Sequence, residues 1–190
     1  LTLVDAKHAV GQLNDRQVLS AIQVHGPLSR ADITRHTGIS GPTVTRAVAN
    51  LLEANFVEEE GPPQQAGIGR PGKLLRLART NVSVLGLVIG TTTCELLAAG
   101  LDGAIEAGQT RSFPTPQRYD ELASTIVVHA RELMAERKTA VLGMGISVPG
   151  LLNRREGRSL FSPNLHQLDD RNLGADLRER LQLDTAVLTE

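Results

Sequence analysis

The residues whose types and spacing most plainly carry chemistry lie between Leu28 and Arg46. Leu28-Ser29-Arg30-Ala31-Asp32-Ile33, followed by Thr37-Gly38-Ile39-Ser40-Gly41-Pro42-Thr43-Val44-Thr45-Arg46, is the pattern of a short helix, a tight turn and a second helix. Ser29 stands where it caps the first helix, with Asp32 three residues on in near capping-box spacing. Gly38 permits positive φ, Ser40 caps the next helix, and Pro42 is tolerated in its first turn. Two helices joined in this way cross near a right angle, and the second can lie in a duplex major groove about 12 Å wide. At about 100° per residue, Val44, Val48 and Leu51 define the buried direction of the second helix. Arg46 then lies roughly opposite, with Pro42, Thr45 and Ala49 on the same outer face and Thr43 and Asn50 on its shoulders. Arg46 suits a guanine edge or a phosphate. Ser29, Ser40 and the backbone amides of both helix starts suit phosphates, because helix N-termini present unpaired N–H groups.

A small helical bundle with ordinary caps would share this pattern, and the next forty residues decide between the two. Phe56-Val57-Glu58-Glu59-Glu60 and Lys73-Leu74-Leu75-Arg76-Leu77 read as short strands around the Gly- and Pro-rich loop 61–72. Helix, helix, helix, strand, long loop, strand is the order of a winged helix. Its wing tip, Gly69-Arg70-Pro71-Gly72, would hold an arginine clear of the body, where it can enter a narrow minor groove. The candidate DNA contacts are therefore Ser29, Arg30, Ser40, Gly41, Pro42, Thr43, Thr45, Arg46 and Asn50, joined by Gly69, Arg70 and Pro71.

The elements that must position these groups follow from periodicity. Asp15 to His25 places Val18, Leu19 and Ile22 on one stripe, and Gly26-Pro27 stops that helix. After about Thr80 the pattern changes to buried strands: Val84 to Gly90, Cys94 to Leu101 turning at Asp102-Gly103, and Ala104 to Ser112. A long amphipathic helix then spans Arg118 to Arg137, with Leu122, Ile126 and Leu133 inward. Val141 to Val148 is another apolar strand, Leu173 to Leu181 a short helix, and Thr185 to Thr189 a last strand. No repeat or low-complexity tract appears.

Composition narrows the function. The 190 residues carry 20 Lys/Arg against 21 Asp/Glu, a net charge of −1, so a globally basic coat is excluded. Residues 1–80 hold nine Lys/Arg against seven Asp/Glu, and residues 81–190 hold eleven against fourteen, so the first part is mildly basic and the second acidic. Three Phe, one Tyr and no Trp cannot build the stacking platform of a single-strand binder. The single cysteine, Cys94, excludes a disulfide scaffold and a multi-cysteine zinc site within these residues, and reads as a small buried residue. His8, His25, His36, His129 and His166 have no ligand spacing and read as surface or cap residues. Glu58-Glu59-Glu60 reads as a solvated strand end. No apolar run approaches the ~18 residues of a membrane helix, so a soluble cytoplasmic protein is expected. The first residue is Leu1 rather than Met, so the chain is expected to be part of a longer one.

Asn14-Asp15-Arg16, Gly26-Pro27-Leu28-Ser29-Arg30-Ala31, Ser40 to Arg46 and Gly69-Arg70-Pro71 together resemble the N-terminal domain of transcriptional regulators of the ROK family (repressors, open reading frames, kinases). Leu85 to Gly90, Gly143 to Gly150 and Ser162-Pro163-Asn164-Leu165 continue the resemblance in order and spacing. It covers essentially all of the chain, though only the first part of the family's length. The fold it implies is α+β and multidomain: a winged helix-turn-helix over residues 1–80, then, over 81–190, the first and incomplete lobe of an actin-like ATPase, ribonuclease H-like α/β domain.

In the family's kinases the first strand of that lobe ends in Asp-Ile-Gly-Gly-Thr-Lys, which handles nucleotide phosphates and their metal. The matching residues here are Val88, Ile89, Gly90, Thr91, Thr92 and Thr93. Val88 cannot help hold Mg²⁺, and Thr91 in place of the second glycine compromises close approach to a phosphate. Phosphoryl transfer depends on positioning and charge stabilisation, so losing both is severe. The family's catalytic base and its Cys-rich zinc motif would fall after Glu190, so no cofactor is expected within these residues. Gly150 and Asn164 match positions that line the family's sugar pocket; a strand-end turn and a loop-capping side chain would explain them equally well. The resemblance implies a sugar-responsive regulator, expected to be a repressor of sugar-utilisation genes. Its partners would be duplex operator DNA, a sugar or sugar-phosphate effector and a second copy of itself. Dimerisation is expected because two half-sites multiply the affinity of one helix and one wing. A sugar kinase with an added DNA-binding domain and a protein-binding winged helix are the rival readings.

Overall fold

A computed structural model describes residues 3–61, 73–137 and 139–189, with side chains from Gln12 onward. The chain forms two compact units, Leu1–Asn81 and Val82–Glu190.

The first unit is built from α1 (Leu3–His25), α2 (Arg30–Thr37), α3 (Gly41–Glu53) and a two-stranded antiparallel hairpin of β1 (Val57–Glu60) and β2 (Leu74–Leu77). The helix α1 begins well before Asp15, where the apolar stripe first becomes legible. No proline interrupts residues 3–14, and the one glycine there, Gly11, costs only about 1 kcal/mol in a helix. Val18, Ile22, Leu28, Ile33, Val44, Val48, Leu51, Val57 and Leu75 close into one core. Leu28 and Leu75 exchange both backbone hydrogen bonds, at 2.9 and 2.8 Å, which fastens the start of the helix-turn-helix to the hairpin. The wing tip predicted around Gly69, Arg70 and Pro71 lies outside the described residues.

The second unit is a five-stranded mixed sheet in the order β5-β4-β3-β6-β9. Its strands are β3 (Val82–Ile89), β4 (Thr93–Ala99), β5 (Ile105–Pro114), β6 (Ala140–Val148) and β9 (Asp184–Thr189). The strands β3, β4 and β5 form an antiparallel meander, while β3, β6 and β9 are parallel. Parallel neighbours need crossovers, and α4 (Tyr119–Glu136) and α5 (Leu173–Leu181) lie in the two connections. Leu122, Ile126 and Leu133 of α4 and Leu177 of α5 pack with Leu85, Leu87, Leu96 and Ile146 of the sheet. Cys94 is fully buried in the same core, and burial pushes its thiol above its ordinary value. At the edge strand β5, Gly108 has φ +81° and the ladder to β4 shifts register. There Arg111 donates to the carbonyls of Gly108 and Thr110, and also pairs with Glu136.

Between β6 and α5 the structure adds a small antiparallel hairpin of β7 (Leu151–Asn153) and β8 (Arg158–Phe161) that no periodicity marks. Strands of three and four residues, joined by charged Arg154-Arg155-Glu156, are too short to show alternation. Tyr119, the only tyrosine, sits among these elements with its hydroxyl donating to Asp176 and the Arg171 guanidinium 4.7 Å from its ring centre.

Candidate nucleic-acid interface

The turn that sets the two helices of the motif is local in origin. The Asp32 amide donates to Ser29 Oγ at 3.2 Å and the Ser29 amide to Asp32 Oδ2 at 3.1 Å, a complete capping box. The Ser29 hydroxyl adds a 2.6 Å bond to the same carboxylate, so Ser29 first, with Arg35 contributing, holds the Asp32 carboxyl below its ordinary range. Gly38 ends α2 at φ +69°, its amide donating to the Thr34 carbonyl at 3.0 Å. Ser40 occupies the cap position of α3, but its side chain accepts no backbone amide. Its hydroxyl lies 2.9 Å from Thr43 Oγ1 instead.

This difference separates the two helix starts. The start of α2 already has a carboxylate on it, and the Ser29 hydroxyl takes the Asp32 amide. The start of α3 has no acid in its first turn and no side-chain cap. Its amides are free to meet an anion, and the helix dipole favours one there.

The faces of α3 divide as the spacing predicts. Val44 and Val48 are wholly buried and Leu51 nearly so, whereas Gly41, Pro42, Thr45, Arg46, Ala49 and Asn50 are exposed. Arg46 forms no ion pair with any described residue. Thr45 donates its hydroxyl proton to the Gly41 carbonyl at 2.9 Å. Its oxygen is left as an acceptor and its methyl as an apolar contact, which suits a base amino group or a thymine methyl.

Two of the predicted contacts have protein partners. Asn50 donates to the Asp15 carboxylate at 3.1 Å, which braces α3 against α1. Arg30 donates to Glu59 Oε1 at 3.1 Å, and Lys73 bonds the other oxygen of the same carboxylate. Glu58 pairs with Arg76 at 2.8 Å. Of the acids of β1, Glu59 and Glu60 are exposed, as a solvated strand end requires, but Glu58 and Glu59 also have partners. Two of the three hold cations from α2 and β2, because the antiparallel register puts Glu58 opposite Arg76. Sequence reasoning missed Asp15 and Glu59 as positioning residues; their partners lie 35 and 29 positions away, beyond any local spacing rule.

In the second unit, Val88 is 41% exposed at the end of β3, where the kinases carry their acid. Gly90 enters a two-residue turn, its amide donating to the Thr93 carbonyl at 3.0 Å, and a Cβ there would stand 2.6 Å from that oxygen. An exposed valine offers no oxygen to a metal, so a nucleotide–magnesium pair does not fit this strand end. Gly150 and Asn164 flank the β7–β8 hairpin, with φ of +105° and +60°. A Cβ on Gly150 would lie 2.1 Å from the Phe161 carbonyl and 2.9 Å from Ser162 Cα. That close approach accounts for the glycine, and Asn164 follows three residues after the end of β8.

A helix-turn-helix with a β-hairpin, followed by the meander-and-crossover sheet of an actin-like domain, defines a two-part regulator fold. Residues 12–66 match the MarR family and residues 84–190 the ROK family. The chain belongs to the ROK family. It is 27% identical over 183 residues to the xylose repressor of Bacillus subtilis (strain 168), covering 95% of this chain and 47% of that protein. The xylose repressor of Caldicellulosiruptor bescii is 24% identical, with 81% and 39% covered. The chain thus spans about half the length of the curated relatives it matches, or less. Among solved structures, a ROK family transcriptional regulator described as a homolog of the E. coli MLC protein superposes with a TM-score of 0.73 at 20% identity, over 95% of this chain and 46% of that one. A ROK family glucokinase from Streptomyces griseus superposes on 56% of this chain and 33% of its own with a TM-score of 0.51, at 20% identity. No described helix is long and apolar enough to cross a membrane.

Proposed function

We propose that this chain is the DNA-binding part, with the first lobe of the effector domain, of a sugar-responsive transcriptional repressor. One observation carries the reading: α3 buries Val44, Val48 and Leu51 and turns Pro42, Thr45, Arg46 and Ala49 outward, beside a free helix start and a two-stranded wing. Residues 14–79 engage duplex DNA, with Ser40 to Arg46 in the major groove and Arg70 in the minor groove. Arg46 reads a base edge or grips a phosphate, Thr45 accepts from a base, and the amides of Gly41 and Thr43 meet the backbone. The names of the relatives support a repressor of sugar genes.

Residues 82–190 begin the domain that senses a sugar or sugar phosphate, with Gly150 and Asn164 at its edge. The effector acts by binding one of two arrangements of the whole protein more tightly than the other. Val88 and Thr91 speak against phosphoryl transfer, and two copies on two half-sites supply the affinity.

The test is a selection of duplexes from a randomised pool by the 190-residue chain, followed by anisotropy titration of the winning duplex. Arg46→Ala lowers affinity for that duplex by about 1–3 kcal/mol if the contact is a bidentate base contact. A wild-type chain that enriches no sequence, or an Arg46→Ala variant that binds the selected duplex as well as wild type, defeats the assignment.

A further inference from the structure

Four cations in the first unit are met by acids. Arg35 pairs with Asp32 and Arg76 with Glu58, while Arg30 and Lys73 share the single carboxylate of Glu59. Glu59 is the one that bridges elements at the DNA-facing side. Arg30 is the first residue of α2, the helix that crosses the phosphate backbone in a docked helix-turn-helix, and Lys73 is the foot of the second wing strand. Both would lie within reach of phosphates.

Resting on the DNA-binding reading above, we infer that Glu59 is an electrostatic latch that sets the sequence-independent affinity of this domain. It occupies two cations that would lie within reach of the backbone and adds an anion between them. A phosphate approaching this corner meets a neutralised pair and a fixed negative charge. Arg46, on the reading face of α3, is tied to no acid among the described residues, so Glu59 does not hold it. The latch therefore subtracts backbone attraction and leaves base contacts alone. Lys73 and then Arg30 hold the Glu59 carboxyl below its ordinary range, so it remains ionised wherever the protein would bind DNA.

Backbone attraction is read from salt dependence, since each neutralised phosphate steepens log K against log [salt] by about 0.9. Between 50 and 200 mM salt, one added contact multiplies the loss of affinity about 3.5-fold, and two about 12-fold. The experiment uses the 190-residue chain and a random-sequence 24-base-pair duplex, titrated by anisotropy across that range. Glu59→Gln keeps the shape of the side chain and removes its charge. It is expected to bind the random duplex at least about threefold more tightly at 50 mM and to steepen the slope by about one to two. In an Arg30→Gln/Lys73→Gln background, Glu59→Gln should leave the slope unchanged, because the cations it would release are gone. A far-UV thermal melt establishes that each variant is folded.

A folded Glu59→Gln chain with wild-type slope and affinity, or with weaker binding, overturns the latch. So does equal steepening in the background that lacks Arg30 and Lys73. If Glu59→Gln does not fold, Arg30→Gln/Lys73→Gln with Glu59 in place decides: a slope shallower than wild type by about two shows that these cations were never withheld. A wild-type chain that binds no duplex at all refutes the DNA-binding reading instead, and the latch falls with it.

Discussion

Gly150→Ala separates a backbone requirement from a sugar-contacting role. The added Cβ would stand 2.1 Å from the Phe161 carbonyl oxygen and 2.9 Å from Ser162 Cα, at a φ of +105°. A strained backbone of this kind costs about 1–3 kcal/mol for a non-glycine residue. The overlap cannot be relieved by a side-chain rotation, because the obstructing atoms are backbone. The β7–β8 hairpin must move by about 1 Å to restore ordinary contact. Such a shift strains the buried Ser159–Ser162 hydroxyl pair (2.9 Å) and the fully buried Leu165 that follows it. Overpacking of this order adds about 1–3 kcal/mol, so the sum is about 2–6 kcal/mol.

The assay follows from composition. With no Trp and a single Tyr, at position 119 on α4, intrinsic fluorescence reports the second unit alone. A urea titration followed at Tyr119 should show the midpoint of Gly150→Ala displaced downward, by about 1–3 M for an m-value near 2 kcal/mol/M. A variant within about 0.5 kcal/mol of wild type would show that the hairpin yields freely and that the glycine is kept for another reason.

Further expectations concern the first unit. Ile33→Ala, at a wholly buried site between the helices, should cost about 2–5 kcal/mol in a far-UV CD melt of the helical signal. Ser29→Ala removes the capping box and should cost about 1 kcal/mol in the same measurement, whereas Ser40→Ala, whose hydroxyl caps no amide, should cost less. Because the folded Asp32 carboxyl lies below its ordinary value of 3.8, its stabilisation is fully present above that value and is lost as the pH falls through the lower, folded one. Asp32→Asn should flatten the acid limb of a pH–stability curve; an unchanged limb would contradict the cap. Asn50→Ala should destabilise the fold as it releases Asp15, and should weaken DNA binding only in proportion to the folded fraction.

Much of the fold was legible because its causes are local. Ser29 and Asp32 are three residues apart, Gly38 ends α2 by its own conformational freedom, and Val44, Val48 and Leu51 recur at helical spacing. The apolar runs of β3 and β6 and the bounds of α5 were readable for the same reason. The partners of Arg30, Asn50 and Arg76 were not, because they arrive from elements brought close only by folding. The β7–β8 hairpin escaped because its strands are shorter than a period can reveal. The placement of Val88 and Gly150 took both kinds of information: the residue types were plain, while the exposure of one and the crowding of the other depend on neighbouring strands.

The edge of the sheet at β5 has a consequence for how copies of this chain meet. An open edge strand invites a neighbour to extend the sheet by hydrogen bonding to it, the route by which β proteins polymerise. Here the kink at Gly108 breaks the straight run of backbone groups, and Arg111 covers two of their acceptors with its own guanidinium while anchored to Glu136. Sheet extension through this edge would have to evict a charged side chain and straighten the strand. The charged side chain and the kink together work against fibrillar growth by sheet extension on that side.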